Sequence, residues 1–244
     1  MRRITVTILI LVFFLGGCTS VPNVNSSESQ ERKIEWDDVV GSLLPSDPVP
    51  SEIKLKKGVY MTADVSHVRD GDTIVVRNVD TSYLKDKDRK KIIEDELIKN
   101  NGELGVRLIS IDTPEITNGK NEYFGKEAKE AVAKLLYSGK VVLELDPAIL
   151  FDDYSRLIAH TYTMEGINVQ KYLLSNGLAR VAYLYDDYKY TSEYRHAEKE
   201  AKAKKLNIHS IDGYVKWDEI AGFDMSVPVN PSWDLMGDPP PPEK

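Results

Sequence analysis

The chain has one cysteine in 244 residues, Cys18, so no disulfide forms within it. Its four histidines, His67, His160, His196 and His209, are scattered and have no cysteine partners, which removes the spacing a zinc site needs. Basic charge is not in excess either. Lysine and arginine number 32 against 39 aspartates and glutamates, a formal net charge of −7, and this excludes a chain that coats nucleic acid by bulk electrostatics. From Lys56 to Ser210 the 25 basic and 25 acidic residues balance, and the acidic excess lies in the flanks. Long apolar runs are also missing. Ile4 to Leu15 is too short to span a bilayer, which takes about 20 residues.

What the chain does have is a concentrated stretch, Val106 to Glu115. Val106, Leu108, Ile109 and Ile111 give the apolar run of a half-buried strand, closed by Pro114. In an extended chain Arg107, Ile109 and Ile111 point one way and Leu108, Ser110 and Asp112 the other. An arginine in line with two isoleucines needs an anionic partner. Upstream, Asp70-Gly71-Asp72-Thr73 reads as a turn leading into the strand Ile74-Val75-Val76. Carboxylates converging from separate strands need a cation or a proton between them, and all-oxygen ligands suit Ca²⁺ or Mg²⁺. Taken alone, Asp70-Gly71 is an ordinary hairpin turn.

Around these stretches the sequence predicts strands at Gly58–Ser66, Thr73–Arg77, Lys140–Leu145 and Leu157–Tyr162. Helices are expected over Phe124–Ser138, with Ala128, Ala131, Val132, Leu135 and Leu136 as the buried stripe, over Asn168–Asn176, and over Ser192–Lys205. Between Asn78 and Gly105 a charged run carries Ile92, Ile93, Leu97 and Ile98 on one face of a short helix. It reads as a solvated helix face or as an arm that touches substrate. This order suggests a small antiparallel barrel carrying helices, an α+β fold. From Ile211 the chain reads as irregular, ending in the stiff run Pro239 to Pro242.

The N-terminal stretch has its own pattern. Arg2-Arg3 precede the apolar run, and Leu15-Gly16-Gly17-Cys18 resembles a bacterial lipobox, so residues 1–18 are expected to be a lipoprotein signal peptide with Cys18 as the lipidated residue. Residues 19–55 read as a flexible linker, within which Trp36 to Leu44 is either more tether or a short docking segment. The expected location is the outer side of the cell envelope, or secretion.

Asp-Gly-Asp-Thr at 70–73, Arg107 with Asp112-Thr113-Pro114-Glu115, Tyr154-Ser155-Arg156, and Gly177 to Tyr185 occur in that order. Together with Ala201 to Ile208 they resemble the staphylococcal nuclease, or thermonuclease, family over roughly residues 59 to 210. The resemblance implies a five-stranded OB-fold barrel with about three helices, spanning 56–210, in which residues 78–105 are an insertion. It implies a Ca²⁺-dependent nuclease acting on DNA and RNA, preferably single-stranded, and leaving 3′-phosphate ends, as a monomer. Asp72, Asp112 and the carbonyl of Thr113 are then metal ligands. Glu115 is the general base, and Arg107 and Arg156 hold the phosphate. Tyr154, Tyr183 and Tyr185 belong to the substrate surface. For Tyr183 and Tyr185, which alternation places on one face, stacking on bases and core packing are both open. Ser155 and Asp153 depart from the family's usual glycine and basic residue. The other reading is a non-catalytic barrel of this type that binds nucleic acid or protein, and such a domain is expected to lack some of these charged residues.

Overall fold

The computed structural model describes residues 58–117, 119–216 and 222–228. The expected signal peptide, Cys18, the 19–55 linker with Trp36 to Leu44, and the prolines near the C-terminus lie outside the described residues. Among those described, no helix is long and apolar enough to cross a membrane.

The strands are β1 (Tyr60–Asp70), β2 (Thr73–Asp80), β3 (Glu103–Leu108), β4 (Ile111–Asp112), β5 (Lys140–Leu145), β6 (Leu157–Tyr162) and β7 (Arg180–Val181). Five of them close a barrel in the order β1-β2-β3-β6-β5, while β4 and β7 form a separate two-stranded ribbon. Alternate residues fill the barrel: Met61 and Ala63, Ile74 and Val76, Leu104, Val106 and Leu108, Val141 and Leu143, and Leu157 and Ala159. Each such side chain of leucine or valine size contributes about 1.5–3 kcal/mol by leaving water. The sheet is mixed rather than antiparallel. β3 and β6 run parallel, with Arg107 opposite Ile158, because the intervening chain includes a helix and β5 and is long enough to return to the same end.

Among the described residues the helices are α1 (Lys87–Lys99), α2 (Gly125–Leu135), α3 (Val169–Ser175) and α4 (Thr191–Ala203), the three expected for the barrel and the short one expected between Asn78 and Gly105, and a 3₁₀ turn follows at Asn207–Ser210. The helix of the 78–105 segment is α1. Asp86 caps it by accepting the amides of Asp88 and Arg89. Its apolar face is split: Ile93 is fully buried in the barrel core with Leu97 against it, while Ile92 and Ile98 face water. Arg89 donates to the carbonyls of Asp146 and Pro147. The segment is therefore bound to the barrel and is not a free arm.

α2 lies across β1. A Cβ on Gly71 would come 2.7 Å from Ala128 Cβ and 2.8 Å from Thr113 Oγ1, so only glycine lets the β1–β2 turn sit beneath this helix. A buried polar cluster fixes the segment before α4. Glu144 accepts from Tyr162 (2.8 Å) and Tyr190 (3.0 Å) and pairs with Lys189. His160 joins Tyr194 to Asp146.

One expectation about chain path needs correction. The run from Val106 to Asp112 is not one strand: Ser110 takes a left-handed backbone, φ +66°, which ends β3 and turns the chain out into the ribbon. Ile111 thereby joins Leu108 in the main core, while Ile109 packs beside Ile158 and Tyr188. The described residues after Ile211 form no helix or strand, as their sequence reads, but they are packed. Ile211, Tyr214, Val215 and Phe223 are buried with Tyr123, Phe124 and Ile208, and Val215 bridges to Phe223.

Candidate active site

The kink at Ser110 and the tight turn at Gly71 bring three carboxylates to one end of the barrel. Asp70, Asp72 and Asp112 are all buried. Thr73 is the cross-strand partner of Arg107, so the guanidinium on β3 lies beside the β1–β2 turn. Arg107 Nη1 is 2.5 Å from Asp72 Oδ2, Nη2 donates to the Ile111 carbonyl (3.0 Å), and Asp112 Oδ1 lies 3.8 Å from Nη2. Burial alone would lower the Arg107 pKa, but Asp72 and then Asp112 raise it. The arginine of the strand thus has the anionic partners its position requires.

Asp72 is held on both oxygens. Thr73 Oγ1 donates to Oδ1 (2.9 Å) and the Thr113 amide donates to Oδ2 (3.2 Å). Arg156 Nη1 donates to Thr73 Oγ1 (3.3 Å), which links the second arginine to the same group. Asp152 orients Arg156, accepting its Nε at 2.6 Å and its amide at 2.9 Å. The Tyr154 ring lies 5.5 Å from the Arg156 guanidinium and is largely exposed. Ser155, φ +58°, adopts the left-handed conformation that suits the glycine usual at this position.

Glu115 is half-buried on the loop after β4. Its carboxylate accepts from Thr117 Oγ1 (3.0 Å) and its amide donates to Glu122 (2.7 Å). It lies near enough to Asp70 to act on that carboxyl, whose pKa is pushed up to about 7 by burial, then Asp72, then Glu115. Burial, then Asp72, raises the Asp112 pKa against the opposing pull of Arg107 and Arg180.

Tyr183 and Tyr185 come together, with ring centroids 6.2 Å apart, but not by strand alternation. β7 ends at Val181, and Tyr183 takes a left-handed φ of +56°. The Tyr183 ring lies 5.4 Å from the Arg107 guanidinium, and Tyr185 is 69% exposed. Tyr183 is thus half-buried in the wall of the cup that holds Arg107, and Tyr185 stands at its rim.

Two residues of the site carry no distinct sequence signal. Asp70 lies within the recognised turn, but its burial and its partnerless Oδ1 emerge only from the fold. Arg180 sits inside an apolar run, and its Nε donates to Asp112 Oδ2 at 2.9 Å across a long sequence separation.

Among the described residues no group of three or more carboxylate, histidine or cysteine side chains forms a ready-made cation cage. The donor set still fits a hard cation. The buried Asp70 Oδ1 has no hydrogen-bond partner, and it belongs to a carboxylate crowded by Asp72, a pairing that a proton or a divalent cation relieves. Two aspartates and a carbonyl offer only oxygen.

A closed barrel with arginines and carboxylates meeting at one end, rimmed by tyrosines, defines a small barrel protein with a buried, charged site at one end. Residues 105–210 match the model of the Staphylococcal nuclease homologue family. The chain is 43% identical over 113 residues to the SPbeta prophage-derived endonuclease YokF of Bacillus subtilis (strain 168), covering 45% of this chain and 38% of that protein. With endonuclease YncB of the same organism the identity is 42% over 123 residues, covering 49% of this chain and 58% of that protein. With the thermonuclease of Staphylococcus hyicus it is 33% over 151 residues, covering 61% and 76%. The chain belongs to the staphylococcal nuclease homologue family. It spans about two-fifths and under three-fifths of the two Bacillus relatives' lengths.

Proposed function

We propose that the protein is a Ca²⁺-dependent nuclease that hydrolyses phosphodiester bonds of DNA and RNA and leaves 3′-phosphate ends. The observation that carries the reading is the pairing of Arg107 with Asp72 and Asp112 in a buried cup beside Arg156. The endonuclease and thermonuclease names of the relatives support it.

In this reading Asp72, Asp112 and the Thr113 carbonyl hold the calcium ion, which when bound neutralises charge on a phosphate oxygen and favours ionisation of a neighbouring water. Arg107 and Arg156 each offer a planar fork of donors to the phosphate. Each preorganised donor contributes roughly 3 kcal/mol to stabilising charge that develops in the transition state. Glu115, held by Thr117 at the mouth of the cup, takes the proton from the attacking water. Tyr154, Tyr183 and Tyr185 flank the nucleotides, contacts that tolerate any base. The balanced charge of residues 56–210 suits brief contact with a polyanion.

The proposal extends to location: export, with Cys18 lipidated and the barrel tethered as a monomer on the outer side of the membrane, supported by the Leu15 to Cys18 pattern.

The test is cleavage of denatured DNA by the full chain in millimolar calcium and then in chelator, beside Glu115→Gln. Calcium-dependent release of 3′-phosphorylated fragments, reduced about 100-fold or more in the variant, supports the reading. A folded native chain that cleaves nothing with calcium present would replace it with a binding module.

A further inference from the structure

The family match ends at Ser210, but a packed strap follows. Lys216 N donates to the Gly222 carbonyl (2.9 Å) and Asp224 N to the Tyr214 carbonyl (2.8 Å). The fully buried Tyr214 hydroxyl donates to the Tyr123 carbonyl (2.7 Å), and so reaches the segment that joins Glu115 to α2. Met225 and Val227 cover the cluster beneath.

The strap meets the site through Arg180. Asp112 and Arg180 are register partners on the β4–β7 ribbon. While Nε holds Asp112 Oδ2 at 2.9 Å, Nη1 donates to the Lys216 carbonyl at 2.9 Å, and the guanidinium carbon lies 5.9 Å from the Phe223 ring centroid. Gly222 has φ +61°, and a Cβ there would stand 3.4 Å from Asp112 Oδ2, so the strap backbone itself closes over this carboxylate. Arg180 is only 1% exposed and is out of reach of a substrate. Asp112 is gripped on one oxygen from behind, while its other oxygen faces Arg107 and the cup.

We propose that Arg180, clamped by residues 214–216 and 222–223, is a positioning residue that fixes the orientation of Asp112, and that the strap is a working part of the site. The inference rests on the reading of Asp112 as a calcium ligand. A ligating carboxylate presents one oxygen reliably only when the other is hydrogen-bonded to a fixed donor. Arg180 is such a donor because its fork is pinned at a second point by a backbone carbonyl, a grip that a single ammonium cannot reproduce.

Arg180→Met, Arg180→Lys and Phe223→Ala in the full chain test this, with three readouts: calorimetric titration with calcium chloride alone, steady-state cleavage of denatured DNA, and thermal unfolding. Arg180→Met should lose about 10- to 100-fold in calcium affinity and in kcat, with KM for DNA within about two-fold of native. Arg180→Lys should recover part of the loss. Phe223→Ala, which leaves the arginine in place, should show a smaller loss of the same kind. Folded Arg180→Met and Phe223→Ala chains with native calcium affinity and kcat would overturn the proposal. If Arg180→Met does not fold, Phe223→Ala and Arg180→Lys decide it by the same criterion. A native chain that binds calcium without cleaving DNA ends the nuclease reading but leaves the calcium titration to judge Arg180. A native chain that binds no calcium removes the inference.

Discussion

Arg107 Nη1 and Asp72 Oδ2 are 2.5 Å apart across the β2–β3 pairing, and each side chain is almost wholly buried. The pair is therefore structural as well as chemical: Asp72 and Asp112 repel each other, and Arg107 is the cation that both face. Removing it by Arg107→Ala should lower turnover by about 100- to 1,000-fold. In calcium-free buffer it should also cost about 3 kcal/mol of stability, because two buried carboxylates lose a shared partner. Arg107→Lys should restore stability more than turnover, since an ammonium cannot contact Asp72 and the Ile111 carbonyl as a fork does. Steady-state kinetics and denaturant unfolding of both variants check this.

Tyr185 and Tyr183 should separate kinetically. Tyr185 is exposed and touches little of the fold, so Tyr185→Ala should raise KM for single-stranded DNA by about ten-fold through lost base stacking and leave the melting temperature unchanged. Tyr183 leans on Arg107, so Tyr183→Ala should depress kcat and melting temperature together. Equal effects of the two substitutions on melting temperature would contradict the division into wall and rim.

The helix α1 should matter for stability and not for chemistry. Ile93 is fully buried in the barrel core, so Ile93→Ala should cost about 2–4 kcal/mol. kcat at a temperature where the variant is folded should be native. A loss of activity without a loss of stability would mean that the helix takes part in catalysis after all.

His209 sets an acid limit. Burial and then nearby Lys202 pull its pKa down to about 4, whereas in the unfolded chain it titrates near about 6.5. Between these values the unfolded state binds a proton that the folded state refuses. The stability linked to this group is complete above about pH 6.5 and is lost as the pH falls toward about 4. Melting temperatures should drop across that window, and less steeply in His209→Asn. An unchanged slope would assign the acid sensitivity to another group.

The barrel was legible because its strands alternate and its helices carry clear stops. Met61, Ile74, Val76, Val106 and Leu143 all face the core as period two demands, and Asn168 caps α3 as its residue type suggests. The motif residues were legible through resemblance, and the fold brings Arg107, Asp72 and Asp112 into one cup. What stayed hidden depends on backbone turns that side chains do not announce. Ser110 and Tyr183 take left-handed conformations that neither residue type favours, and they redirect Asp112 and Tyr185. Arg180 was hidden because its role depends on a carboxylate on another strand and on a carbonyl in the strap. The strap itself shows no period, since Ile211, Tyr214, Val215 and Phe223 pack as an irregular cluster.

The α1 segment joins the far end of β2 to the near end of β3, whereas the carboxylate cup lies where β2 begins and β3 ends. Along the chain, the eight residues of β2 lie between the two. Ile98, 76% exposed on that helix, is therefore an attachment point for a dye or a solid support that leaves the opening of the cup clear. A barrel immobilised there would present its site outward, ready for single-molecule observation of a strand entering it.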